Sequence, residues 1–109
     1  RGGFTVAVKV YNKLVRDKIP EIIEADGRKC KTEILSEEAY LKMVDAKLDE
    51  ELAEYHKDQN IEELADLLEV IYAAAQARGY SVEELERVRV AKVEKRGAFQ
   101  KRILLKETE

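Results

Sequence analysis

Residues 47–68 read Lys47-Leu48-Asp49-Glu50-Glu51-Leu52-Ala53-Glu54, then Tyr55-His56-Lys57-Asp58-Gln59-Asn60, then Ile61-Glu62-Glu63-Leu64-Ala65-Asp66-Leu67-Leu68. Both flanks of this stretch obey helical spacing. Leu41, Val44, Leu48, Leu52 and Tyr55 recur at intervals of three and four, as on one face of an amphipathic helix. Downstream, Ile61, Leu64, Leu68, Ile71 and Ala75 form one stripe, and Glu63, Asp66, Val70, Ala73 and Ala77 form another. Leu67 to Ala77 is apolar nearly all round, so it is expected to be buried on several sides.

The acids sit where apolar residues belong. Glu51 is three residues beyond Leu48, at the edge of the first stripe, and Glu54 follows one turn later on the same face. Glu50, four residues before Glu54, is close enough to assist. Two antiparallel helices joined by a turn at about residues 57–60 bring Glu51 and Glu54 towards Glu63 and Asp66. Carboxylates gathered in this way repel one another, and desolvation makes the repulsion worse. A divalent cation relieves both, and an all-oxygen ligand set suits Mg²⁺ or Mn²⁺ better than zinc or copper. A solvated acidic face, or a charge-driven interaction helix, is the alternative at this point. Glu37, Glu38, Asp45, Asp58 and Glu62 read as surface residues.

Outward from the centre, Ser36 is a good N-cap for a helix to about Lys57, with Glu37 and Glu38 favourable in its first turn. Asn60 caps a helix to about Arg78, stopped by Gly79, and Ser81 with Glu84 makes a capping box for a helix to about Lys95. Pro20 suits the first turn of a short helix to Ala25, ended by Asp26-Gly27. Short strands are expected at Thr5–Tyr11, where Val6, Val8 and Val10 alternate, at Cys30–Leu35, and at Lys101–Leu105. The expected fold is mainly α, with strand-like N- and C-terminal segments.

A chain of 109 residues fits one domain. Residue 1 is Arg rather than Met, so residues 1–9 are expected to be a flexible or non-native start. The longest purely apolar run, Val70 to Ala75, is six residues, against about 20 for a membrane span. The first residues do not show a charged-then-apolar leader pattern, and a cytoplasmic setting is expected. One cysteine, Cys30, allows no internal disulfide, and one His with one Cys builds no zinc site of those ligands.

Net charge is only −3, but its distribution is uneven. Glu33 to Glu69 holds 13 acids and three bases, a local charge of −10, and the remainder carries +7. The basic ends supply partners for an anion. Lys13, Arg16 and Lys18 precede Pro20, near a helix N-terminus. Leu85, Val88, Lys92, Lys95 and Phe99 follow helical spacing, so Lys92 is expected on an inward face, and Arg96 precedes the helix-breaking Gly97. Nucleic-acid binding is disfavoured, because the balance is acidic and aromatics do not interleave with the bases.

The segments Lys47–Glu54 and Glu62–Leu68 together resemble the Glu-Glu-x-x-Glu plus Glu-x-x-Asp motif of the MazG-like all-α nucleoside triphosphate pyrophosphohydrolases. The flanks Tyr11–Ile23 (Tyr-Asn-Lys-Leu-Val-Arg-Asp-Lys-Ile-Pro-Glu-Ile-Ile) and Arg96–Ile103 (Arg-Gly-Ala-Phe-Gln-Lys-Arg-Ile) resemble the phosphoribosyl-ATP pyrophosphohydrolase-like branch. The resemblance covers roughly residues 10–105. It implies a MazG-like helical bundle and Mg²⁺-dependent cleavage between the α- and β-phosphates of a nucleotide, giving a monophosphate and pyrophosphate. By motif it makes Glu51, Glu54, Glu63 and Asp66 the metal ligands. Glu50 becomes a further ligand or the group that orients and deprotonates water. Eleven residues separate Glu51 from Glu63, fewer than is usual in the family, so the hairpin turn must be tight.

The function expected is therefore a nucleotide pyrophosphohydrolase, with Glu50 and Glu51 catalytic and Lys13, Arg16, Lys92 and Arg96 on the phosphates. The alternatives are a module that binds a nucleotide without turning it over, and a structural helical protein. The apolar helix Leu67–Ala77 is too much for a small monomer to cover, so a homodimer or higher homo-oligomer completing the bundle is expected.

Overall fold

Three short polar side chains end extended backbone and start the three longer helices. The side chains of Ser36, Asn60 and Ser81 accept hydrogen bonds from the backbone N–H groups of Ala39, Glu63 and Glu84. Each satisfies a donor that a helix start otherwise leaves without a partner. At Ser81 the bond is reciprocal, because the Glu84 carboxylate accepts from the Ser81 N–H. The computed structural model describes residues 7–109, with α1 at Ile19–Ala25, α2 at Glu37–Asp58, α3 at Ile61–Ala77 and α4 at Val82–Arg96. These agree with the expected boundaries within about one residue.

The stops are equally local. Gly27 and Gly79 have φ of 81° and 91°, conformations that carry no Cβ penalty in glycine. After α3 the Gly79 N–H donates to the Gln76 carbonyl and the Tyr80 N–H to the Ala75 carbonyl, the paired bonds of a Schellman motif. α2 ends differently. Gln59 takes a left-handed conformation (φ 49°), its N–H donates to the Tyr55 carbonyl at 2.7 Å, and Asn60 follows at once as the next N-cap. A two-residue turn is what the short spacer between the acidic motifs demands.

That turn folds α3 back along α2. Asp45 near the start of α2 pairs with Arg78 beyond the end of α3, and Glu54 and Asp58 near the end of α2 meet Glu63 near the start of α3. The two helices are therefore antiparallel. Val44, 1% exposed, is the one fully buried side chain among the described residues. Around it α2 turns Leu41, Leu48 and Tyr55 inward.

α3 departs from expectation. Its inward line is the acid-bearing stripe, with Glu63, Asp66, Val70, Ala73 and Ala77 all partly covered. The more apolar stripe faces outward in a single chain, leaving Leu64, Leu68 and Ile71 at 43%, 45% and 37% exposure. Burial of Leu67–Ala77 on several sides is thus not achieved within one chain. The inward line carries the small residues Ala73 and Ala77 beyond its two acids.

The remaining elements are loosely held. α4 packs on α3 but not on α2, and α1 packs on none of the other helices. No strand forms among residues 7–109. The strand expected at Thr5–Tyr11 begins outside the described residues, and its remainder is irregular. Cys30–Leu35 and Lys101–Leu105 are irregular as well, with Ile34, Ile103, Leu104 and Leu105 exposed. An alternating stretch needs a neighbouring strand to satisfy its backbone, and the described chain provides none. No helix of the described residues is long and apolar enough to cross a membrane. The Cα radius of gyration is 19.6 Å, against about 13 Å for a compact chain of this length.

Replacing Val44 with Ala is expected to lower unfolding free energy by about 2 kcal/mol, moving the urea midpoint without changing the slope. An unshifted midpoint would place the core elsewhere.

Candidate functional site

The hairpin turns carboxylates towards one another. Glu51 lies one turn after Leu48 and two after buried Val44, in line with the inward face of α2, and 12% of its side chain is exposed. Opposite it, α3 presents Glu63 and then Asp66 one turn on. One carboxylate oxygen from each of Glu51, Glu63 and Asp66 lies within 4.8 Å of the others, and the same limit holds for Glu54, Asp58 and Glu63. Glu63 belongs to both groups. The four acids singled out in the sequence are therefore gathered, with Glu63 at the centre.

Three cations from the same chain pair with members of this cluster or with Glu50, the neighbour of Glu51 in sequence. Lys47 Nζ lies 2.6 Å from Glu50 Oε2 and 3.4 Å from Glu51 Oε1, and only 17% of its side chain is exposed. Lys13 Nζ is 3.6 Å from Glu50 Oε1, and Arg16 Nη2 donates to Asp66 Oδ1 at 2.7 Å. The N-terminal bases expected at the phosphates thus pair with the acids. The donor set is carboxylate oxygen throughout, the kind that hard divalent cations take and softer metals do not favour.

The electrostatics divide the cluster in two. The hydrogen bond from Lys47 lowers the proton affinity of Glu50; partial burial opposes this, and the charges of Lys47 and Lys13 reinforce it. Glu63 moves the other way. Lost hydration raises its proton affinity first, and the negative charges of Asp58, Asp66, Glu54 and Glu51 raise it further.

Lys92 and Arg96 are not brought to the cluster within one chain. Both are exposed on α4, which does not touch α2, and neither forms an ion pair among the described residues. The expectation that Lys92 continues an inward face is corrected. α4 meets α3 only weakly, so helical spacing alone did not define a packed side. Two further residues lie at the cluster that the apolar stripes of the sequence do not single out. Asp58, read as a surface acid, lies four residues beyond Glu54 and so shares its face. Lys47 precedes Glu50 and Glu51 by three and four residues, the spacing of helical ion pairs, next to the apolar Leu48.

No family model matches the chain, and no solved structure matches it. A stretch of 42 residues is 55% identical to part of an uncharacterized protein of Mycolicibacterium smegmatis, covering 38% of this chain and 43% of that one.

The raised proton affinity of Glu63 has a consequence for stability. Its ionised form is less favourable folded than unfolded, so it subtracts from stability at neutral pH and stops doing so as acid protonates it. In chelator, Glu63→Gln is expected to melt above the wild type at about pH 7, with the gain fading towards pH 4. A gain that grows towards acid, or none at neutral pH, contradicts the repulsion.

Proposed function

We propose that the chain is a Mg²⁺-dependent nucleotide pyrophosphohydrolase of the MazG-like all-α kind, with Mn²⁺ as a substitute. It cleaves the α–β phosphoanhydride to a nucleoside monophosphate and pyrophosphate. The observation that carries this reading is the convergence of Glu51, Glu63 and Asp66 from two helices within 4.8 Å, on the side of the hairpin where apolar residues are otherwise found. The resemblance of Lys47–Glu54, Glu62–Leu68 and the two flanks to that family supports the same reading.

In this reading Glu51, Glu54, Glu63 and Asp66 hold the metal. The bound cation neutralises phosphate oxygens and makes water more acidic. Glu50 acts through its lone pairs. Lys47 at 2.6 Å keeps it ionised and makes it a weak base, which favours orienting the attacking water over carrying its proton away. Lys13 and Arg16 contact phosphate oxygens, Arg16 with the planar fork that suits them. Lys92 and Arg96 stand on the exposed α4 and contribute through the cluster of a second copy.

The second copy also answers a packing problem. One fully buried side chain contributes far less than the entropy lost on ordering about 100 residues. The outward stripe Leu64, Leu68 and Ile71 is the surface such a copy would cover. We therefore read the bundle as completed by a homodimer or higher homo-oligomer.

The ion pairs at Glu50, Glu51 and Asp66 favour one rival, a module whose acids are balanced by its own cations and which binds a nucleotide without cleaving it. Turnover separates the two. Glu54→Gln and Asp66→Asn are each expected to reduce Mg²⁺-dependent pyrophosphate release from a nucleotide panel by at least about a hundredfold while leaving the helical circular dichroism intact. Wild-type turnover in both variants removes the metal assignment, and no release by the wild type from any nucleotide favours the rival. In sedimentation, the protein is expected to run at no less than twice 12.5 kDa, and Leu68→Asp to shift it towards the single chain. A wild type seen only at 12.5 kDa removes the oligomer.

A further inference from the structure

Before α1 the chain runs beside the hairpin, joined to it by the Lys13–Glu50 pair at 3.6 Å and the Arg16–Asp66 pair at 2.7 Å. Half-buried Leu14 lines a small cavity of about 80 Å³ with Met43 and Ala46, between this segment and α2. Outside the helices, no backbone hydrogen bond among the described residues involves positions 7–15. The polar hold of the segment on the hairpin therefore rests on two side chains. Both pairs are open to solvent, with Arg16 at 58% and Asp66 at 41% side-chain exposure, and pairs this exposed are weak.

Lys47 differs in kind. It is part of α2 itself, three and four residues before the acids it meets, and 17% exposed, so the helix keeps its backbone beside them. Arg16 stands on irregular backbone and can withdraw.

Asp66 is claimed twice. Its Oδ1 accepts from Arg16, and its carboxylate belongs to the convergent group with Glu51 and Glu63. We infer that Arg16 is an exchangeable countercation, holding Asp66 while the cluster lacks a metal and displaced when a divalent cation enters. This rests on the metal-site reading of the cluster. A divalent cation concentrates two charges at one point, whereas a guanidinium spreads one over a plane, so the cation wins the shared carboxylate once it is present. The two convergent groups hold five carboxylates, Glu51, Glu54, Asp58, Glu63 and Asp66, and among the described residues two cations pair with them, Lys47 with Glu51 and Arg16 with Asp66, which leaves a negative surplus for the incoming ion.

The exchange links two events. A displaced Arg16 remains near the cluster, because half-buried Leu14, two residues before it, sits against Met43 and Ala46 of α2, and its guanidinium is then free to take up an anion that accompanies the cation. A phosphate group suits it. Metal entry therefore releases a phosphate ligand, and phosphate capture of that ligand favours metal entry in return.

Titration with Mn²⁺ alone, without nucleotide, tests the exchange through binding affinity. Arg16→Gln is expected to bind Mn²⁺ about two- to fivefold tighter than the wild type, the range set by the weakness of an exposed pair. Arg16→Lys keeps the charge and is expected to stay close to the wild type. Lys18→Gln removes the same charge from a residue with no ion pair among the described residues, and is expected to change affinity less than about twofold. Equal shifts in Arg16→Gln and Lys18→Gln, or weaker binding by Arg16→Gln, overturn the exchange. Mn²⁺ binding by the wild type with Arg16→Gln unchanged removes the exchange and leaves the metal site standing. If neither protein binds Mn²⁺, both readings fall. Thermal melts in chelator verify that each variant is folded.

Discussion

Mutual repulsion among the carboxylates of the α2–α3 hairpin is the constraint to which the rest of this molecule responds. Glu51 occupies a position that helical geometry assigns to the core, one turn past Leu48, and α3 answers it with Glu63 and Asp66 rather than with apolar side chains. Such an arrangement persists only if positive charge is supplied. Lys47 supplies it from within α2, and Lys13 and Arg16 supply it from the segment before α1. The uneven charge of the chain is thereby made intelligible, because its basic N-terminal residues neutralise part of its acidic middle.

The same constraint shapes the packing. Turning the acid-bearing stripe of α3 towards α2 turns its more apolar stripe outward. The hairpin thus gives up hydrophobic burial on its inner side and carries an unpartnered apolar surface on its outer side, where Leu64, Leu68 and Ile71 lie open. A protein that used this hairpin only as scaffold would gain by reversing the two stripes. The orientation observed places the acids between the helices and the apolar stripe outside them.

The helix starts and stops were legible because they depend on neighbours in sequence. Ser36, Asn60, Ser81 and Gly79 act within three or four residues of themselves, and each does so in the structure as the local rules require. Convergence of the acids was legible for a related reason: a short spacer between two amphipathic helices permits little besides an antiparallel return. Strands were not. Cys30–Leu35 and Lys101–Leu105 alternate or run apolar, but strand formation depends on a partner elsewhere, and residues 7–109 offer none.

By itself, then, the sequence determined four helices, their caps and the common face of Glu51, Glu54, Glu63 and Asp66, since all of these follow from 3.6 residues per turn and the chemistry of single side chains. Tertiary structure alone decided which stripe of α3 faces inward, that Asp58 joins the acids, that Arg16 reaches Asp66 across 50 residues of chain, and that Lys92 and Arg96 stand apart from the acids of their own chain. Periodicity marks faces on a helix but does not say which face meets a neighbour. That choice depends on residues distant in sequence, among them Arg16, whose charge meets Asp66 only in the folded chain.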